Sequence, residues 1–344
     1  MAKPVEYRQL GSSGLRVSVP IVGAMSFGSP EWAPWVIDEE QSIPILKAAW
    51  DRGIQTIDTA NVYSNGESEK IVAKFIEKYK IPRHQITILT KCNGLVAAEP
   101  GTRTALQPHL RDRPQYVNQS GLSRAAIFNA VDASLERLKT TYIDLLQIHR
   151  FDAKVPVEET MKALHDLVQS GKVRYIGASS MRCWQFARMN EVAEKNGWTK
   201  FVSMQNEYSL LYREEEREMN AYCNFHGIGL IPWGPVAAGR LCRPVDNAYD
   251  SARGASTKDG PWDTPMTEAD KTIIGRVEEL SKKRGWTMTQ VALAWVGSKV
   301  SSPIVGMSSV KRVEENIITG MVLDEEEIKY LEEPYQPRPV RGHP

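Results

Sequence analysis

The sequence predicts an α/β protein built as a parallel (β/α)8 TIM barrel. It adds an N-terminal β-hairpin and long loops at the C-terminal face of the strands, all in one domain covering 1–344. Three observations predict this architecture. Eight short β-branched runs alternate with amphipathic stretches along the chain. Several of these runs, such as Ile228-Gly229-Leu230-Ile231, are apolar almost throughout, as parallel strands covered on both faces must be. No Gly-x-Gly-x-x-Gly turn follows the first run, although a doubly wound open sheet, the competing architecture, usually carries one.

Taken in order, residues 5–18 read as a hairpin turning at Ser12-Ser13-Gly14. Barrel strands are expected at 19–23, 55–58, 86–91, 143–149, 173–178, 201–205, 228–233 and 303–306. Between them Ile127, Ala130, Val131, Leu135 and Leu138 recur at helical spacing, as do Val157, Met161, Leu164 and Val168. Gly53, Gly171 and Gly285 stand where helices should stop, the last closing a long helix over 267–284. Residues 93–122 and 235–266 are long loops rich in Pro, Gly, Asp and Arg. Both follow strands, at the end of a barrel where active sites form. Trp32 and Trp35, in the first strand-to-helix loop, fit either a pocket wall or a loop anchor.

The charge balance, 43 basic against 42 acidic residues for a net +1, gives no reason to expect nucleic acid or a membrane surface as a partner. Small anionic ligands remain compatible with it. Neither a signal peptide nor an apolar run of roughly 20 residues is visible, so the expectation is a cytoplasmic protein, monomeric by default. Cys92, Cys183, Cys223 and Cys242 lack Cys-x-x-Cys spacing, which argues against disulfide or metal scaffolding. Cys92 should pack behind its strand, on the face opposite Lys91. His84, His109, His165, His226 and His343 read as structural or solvent-facing.

The polar residues that close the strands carry the chemistry. Asp58 ends the second strand and Tyr63 follows five residues later; Lys91 ends the third and His149 the fourth. In a closed barrel these neighbouring ends converge on one mouth. A cation beside a phenol stabilises its anion, so Lys91 should ease proton release from Tyr63. Asp58 would keep Lys91 charged and oriented, and His149 could hydrogen-bond a substrate oxygen.

With these residues in place, the sequence resembles the aldo-keto reductase family over nearly its whole length, in a longer-chain branch similar to aryl-alcohol dehydrogenase-like reductases. Segments 53–63 (Gly-Ile-Gln-Thr-Ile-Asp-Thr-Ala-Asn-Val-Tyr) and 142–149 (Tyr-Ile-Asp-Leu-Leu-Gln-Ile-His) are similar to its catalytic signatures. Segments 171–180, 204–208 and 231–241 resemble its cofactor segments, and 304–316 resembles its clamp on an adenosine 2′-phosphate. Six such motifs in order are specific where any one would be weak.

The resemblance implies reduction of an aldehyde or ketone, with hydride from NADPH (oxidised to NADP+) and the proton from Tyr63. It implies that Ser179 and Gln205 hold the carboxamide, that Ser180 is a further cofactor contact, and that Trp233 stacks on the nicotinamide, with Gly234, Pro235, Gly239 and Leu241 in the segment over it. Gly306, Ser308, Lys311 and Arg312 would meet the phosphate, and Glu315 and Asn316 the adenine; no metal is implied. Ser180 stands where many members carry asparagine, and Gly234 where many carry serine. Two other functions are compatible with the residues. One is a Schiff-base aldolase using Lys91, which needs an uncharged lysine. The other is a cofactor-sensing regulatory barrel with little turnover. The substrate's identity is not legible, because its pocket is built from loops.

Overall fold

The computed structural model describes residues 4–258, 260, 263 and 265–343 of the 344. Parts of two expectations, the extreme N-terminus and positions 259, 261, 262 and 264 of the loop over 235–266, therefore lie outside the described residues. Strands β1 (Glu6–Gln9) and β2 (Arg16–Val19) form the antiparallel hairpin. The barrel then alternates β3 (Ile21–Gly23), α1 (Glu39–Asp51), β4 (Thr56–Asp58), α2 (Glu67–Lys78), β5 (Thr87–Cys92), α3 (Arg124–Arg137), β6 (Ile143–Ile148) and α4 (Val157–Gln169). It continues through β7 (Val173–Ser179), α5 (Cys183–Lys195), β8 (Ser203–Gln205), α6 (Met219–Phe225) and β9 (Gly229–Leu230). Helices α7 (Ala252–Thr257), α8 (Glu268–Arg284) and α9 (Met288–Lys299) precede β10 (Ile304–Gly306), and α10 (Val310–Glu315) and α11 (Glu325–Glu332) follow it.

The eight barrel strands are parallel neighbours in the order β10-β3-β4-β5-β6-β7-β8-β9. Backbone bonds close the seam between the two ends: Ser301 N donates to Leu230 O at 3.0 Å and Ile304 N to Pro232 O at 2.9 Å. Each expected strand exists, though several are shorter than the sequence suggested. The run expected at 228–233 pairs as a ladder at Gly229–Leu230, and beyond it Pro232 has no N–H to donate.

Side-chain alternation divides the strands into an inner and an outer face. Outward residues such as Ile88, Leu146, Ile148, Ile176 and Met204 pack against the helices in the largest core cluster. On the inner face Ile21, Leu89, Leu145, Ile231 and Ile304 fill the lower barrel, and Leu10 and Val17 of the hairpin plug it from below. Leu10 is fully buried, and truncating it to alanine should cost about 2–5 kcal/mol. The hairpin can seat this closely because Gly11 has no side chain: a Cβ there would lie 2.3 Å from Gly227 O. Gly11 also takes φ +58, which disfavours any other residue.

The helix signals read from sequence are the ones used. Thr267 caps α8 in a reciprocal box with Asp270, and Gly285 ends it in the left-handed conformation at φ 65. Gly53 and Gly171 likewise take positive φ. Met161 and Leu164 of α4 are buried against the barrel, where a 3.6-residue period puts them.

Candidate active site

Alternation along β5 and β6 places the apolar and polar layers of the barrel in sequence. Leu89 and Leu145, paired in register, belong to the lower plug; two residues on, Lys91 and Gln147 are paired in register above them. The same alternation sends Cys92 outward into the core, as expected, where burial pushes its thiol up to about 12. Lys91 thus stands on an apolar floor, its side chain 0% exposed.

Three oxygens surround its ammonium: Asp58 Oδ2 at 2.6 Å, the Thr59 carbonyl at 2.9 Å and the Tyr63 hydroxyl at 3.3 Å. Burial presses the ammonium to lose its proton. The charges and hydrogen bonds of Asp58 and Tyr63 outweigh that pressure, and the pKa lies above the ordinary lysine value. The other carboxylate oxygen of Asp58 accepts from Gln147 Nε2 at 3.0 Å and Gln205 Nε2 at 2.9 Å. Asp58 is therefore both charge-paired and fully hydrogen-bonded, the condition under which a buried ion pair is tolerable.

His149 stacks edge-to-face on Tyr63 with ring centroids 5.9 Å apart. Its pKa is pushed well below the usual imidazole value, by burial first and then by the Arg150 and Lys91 cations. The imidazole is neutral at working pH, which suits a hydrogen-bond donor rather than a proton reservoir. The four residues expected to meet at the barrel mouth are brought together.

Behind Tyr63 the chain makes two left-handed residues, Ser64 (φ 47) and Asn65 (φ 50). Asn65 tolerates this conformation better than most residues. Its amide anchors the loop over 93–122, donating to Glu99, Pro100 and Thr102 carbonyls and accepting from Ala97 N. The loop and the tyrosine turn are one connected unit.

The expected cofactor residues line the barrel from β7 round to α10. Ser179 Oγ donates to Gln205 O at 2.7 Å, and Trp233 Nε1 donates to Ser180 Oγ at 3.1 Å. Ser180 takes φ 40, a conformation to which asparagine is better suited. Gly234 takes φ 71, where a serine would be strained, so the glycine there has a backbone reason. In the segment that follows, Gly239 is left-handed too, Pro235 is buried and Leu241 packs into the second core cluster.

Gly306 is exposed, and Arg312 Nη1 donates to Ser308 Oγ at 2.8 Å. Lys311 leans on Glu315 at 3.6 Å. Two buried donors on this side have no partner among the described residues: Asn316 Nδ2 and Arg243 Nη1. Unpaired buried donors are costly, and a polar, anionic ligand would satisfy them. The residues fit a nicotinamide dinucleotide.

Sequence reasoning missed several contributors. Gln147 was findable, since it stands two residues before His149 on the same strand face. The C-terminal tail was not. There Arg341 grips Glu207 through bonds of 2.6 and 2.9 Å, and His343 Nε2 lies 3.2 Å from Glu215 Oε1. Glu215 in turn accepts from Asn206, whose Oδ1 accepts from the Ser180 amide. The tail thereby braces the segment that carries Ser180 and Trp233.

Residues 21–336 match the Aldo/keto reductase family. An aldo-keto reductase of Fusarium vanettenii is 55% identical, with 98% of this chain and 93% of that one aligned. The versiconal hemiacetal acetate reductase of Aspergillus parasiticus is 50% identical over 99% of each chain. A Schizosaccharomyces pombe protein provisionally named as an aryl-alcohol dehydrogenase is 51% identical over 98% of each. The chain belongs to the aldo-keto reductase family. It is an oxidoreductase of carbonyl and alcohol groups in a family that uses a nicotinamide cofactor. No helix among the described residues is long and apolar enough to cross a membrane.

Proposed function

We propose that this chain reduces a small aldehyde or ketone to the alcohol with NADPH, using Tyr63 as the proton donor. The observation that carries the reading is the buried Lys91 ammonium, 3.3 Å from the Tyr63 hydroxyl and 2.6 Å from Asp58. When bound, the reduced cofactor supplies a hydride to the carbonyl carbon.

Tyr63 passes its proton to the carbonyl oxygen as negative charge develops there. Lys91 stabilises the tyrosinate left behind, and Asp58, held by Gln147 and Gln205, keeps that ammonium charged and in place. His149, neutral, donates a hydrogen bond that fixes the carbonyl oxygen beside Tyr63. Ser179 and Gln205 would meet the carboxamide, with Ser180 a further cofactor contact, and Trp233 the nicotinamide face. Gly234, Pro235, Gly239 and Leu241 shape the segment over it.

Ser308, Lys311 and Arg312, next to Gly306, would meet the 2′-phosphate, with Glu315 and Asn316 towards the adenine. Two exposed cations favour the phosphorylated coenzyme, because an NAD site usually sets a carboxylate at the ribose. An aldolase is disfavoured by the same ion pair, which keeps Lys91 protonated and non-nucleophilic. A regulatory barrel is disfavoured by an intact proton relay. The near-neutral charge supports a protein that acts without nucleic acid, and a monomer in the cytoplasm is the simplest form.

The test is a panel of aldehydes and ketones monitored by loss of NADPH absorbance, with NADH as comparison. Turnover with NADPH on several carbonyls supports the proposal. Tight coenzyme binding without turnover of any member would favour the regulatory alternative.

A further inference from the structure

Charges around the mouth do not cancel. Lys91 is matched by Asp58, and Glu207 by Arg341. Two guanidiniums at the mouth, Arg150 and Arg253, form no ion pair with a carboxylate among the described residues. Arg150 follows His149 directly, and its position is fixed from two sides. Asn93 Nδ2 donates to its carbonyl at 2.9 Å, while its own Nη1 donates to the His149 carbonyl at 2.6 Å. Its remaining N–H groups have no protein acceptor among the described residues.

Arg253, on the short helix α7 after β9, lies over the Trp35 ring at 4.9 Å, and Trp35 meets Trp32 edge-on at 6.0 Å. Arg103 lies over Trp32 at 6.0 Å. Trp32 and Trp35 are therefore loop anchors that join three loops at the mouth, and Arg253 is held at its rim by the stack. Both Arg150 and Arg253 are half-buried, and the charges that reach each are those of Tyr63 and Glu207. Arg150 is anchored beside His149 and Arg253 on the mouth tryptophans, so both cations stand at the mouth that holds Tyr63. Partly dehydrated guanidiniums without a counter-ion are unfavourable unless a ligand provides one, and their planar fork matches a carboxylate.

We propose that Arg150 and Arg253 select carbonyl substrates bearing a carboxylate, holding that group while the carbonyl lies at Tyr63. This rests on the reading of Tyr63 as the reducing site.

The test uses matched acids and their methyl esters with NADPH: meta- and para-carboxybenzaldehyde and phenylglyoxylate. The native enzyme should favour at least one acid over its ester by about tenfold in kcat/KM, and salt should erode the preference. Arg150→Gln and Arg253→Gln should each raise KM for that acid by roughly 10- to 100-fold, the value of a hydrogen bond to a charged group. KM for the ester and the affinity for NADPH should stay put, and Arg150→Lys should retain part of the preference.

Equal or better use of every ester by the native enzyme would overturn the proposal without touching the reductase reading. So would variants that harm acid and ester alike, or that lose NADPH affinity, since the arginines would then be structural or cofactor ligands. Failure of the native enzyme on all acids and esters alike would overturn the reductase reading and this proposal with it.

Discussion

Replacing Asp58 by asparagine tests the electrostatic centre of the site without changing its shape. The carboxylate neutralises an ammonium that is 0% exposed, at 2.6 Å. Removing one member of such a pair costs about 3–5 kcal/mol, because the surviving charge stays buried. The loss has a ceiling set by chemistry: the lysine can shed its proton instead. Near pH 7 that costs about 1.4 kcal/mol per unit up to lysine's ordinary value near 10.5, about 5 kcal/mol in all. The expected loss is therefore about 3–5 kcal/mol, measured by urea unfolding.

The pH dependence identifies its cause. In the native protein the Lys91 pKa is raised by Asp58 and Tyr63 against the opposing effect of burial. Its contribution is accordingly full below lysine's ordinary value and is lost only above it, so the group adds no slope between pH 7 and 9. In Asp58→Asn, burial dominates and the folded pKa falls below the unfolded one. The unfolded state then binds more protons, and stability should climb with pH by up to about 1.4 kcal/mol per unit over that window. Adding Lys91→Met should recover much of the loss and flatten the slope. A single variant that loses less than about 1 kcal/mol and tracks the native pH profile would refute the reasoning.

His149 makes a prediction of the opposite kind. Burial, Arg150 and Lys91 hold its folded pKa below the unfolded value, so native stability should fall as pH drops below about 6.5. His149→Gln should remove that part of the acid loss, as read from unfolding at pH 5 and 7. For the coenzyme, Arg312→Ala should weaken NADPH binding by about 1.5–3 kcal/mol and leave NADH nearly unchanged, as read by fluorescence titration. Deleting 338–344 leaves Glu207 and Glu215 without Arg341 and His343. It should lower the melting temperature and weaken coenzyme binding, which calorimetry and the same titration would detect.

The barrel was legible because its strands are buried on both faces, so a run such as 228–231 stands out as apolar. The four residues at the mouth were legible because each lies at or near a strand end, where topology brings it to its neighbours. Helix α11 and short α7 were not read. The tail was opaque for a different reason: residues 334–343 have no periodicity, and their order comes from distant carboxylates on the segment after β8. Arg150 and Arg253 are ordinary cations in sequence, and only three-dimensional pairing distinguishes them from Arg341, which has a carboxylate.

The most direct test of the account is the single-turnover rate of carbonyl reduction by Tyr63→Phe, with NADPH affinity measured alongside. The ring and its contact with His149 remain, while the hydroxyl 3.3 Å from Lys91 is lost. The rate should fall at least ~10²-fold, as for loss of a general acid, with NADPH affinity essentially unchanged. A hydride-transfer rate equal to that of the native enzyme would contradict the assignment of Tyr63 as the proton donor.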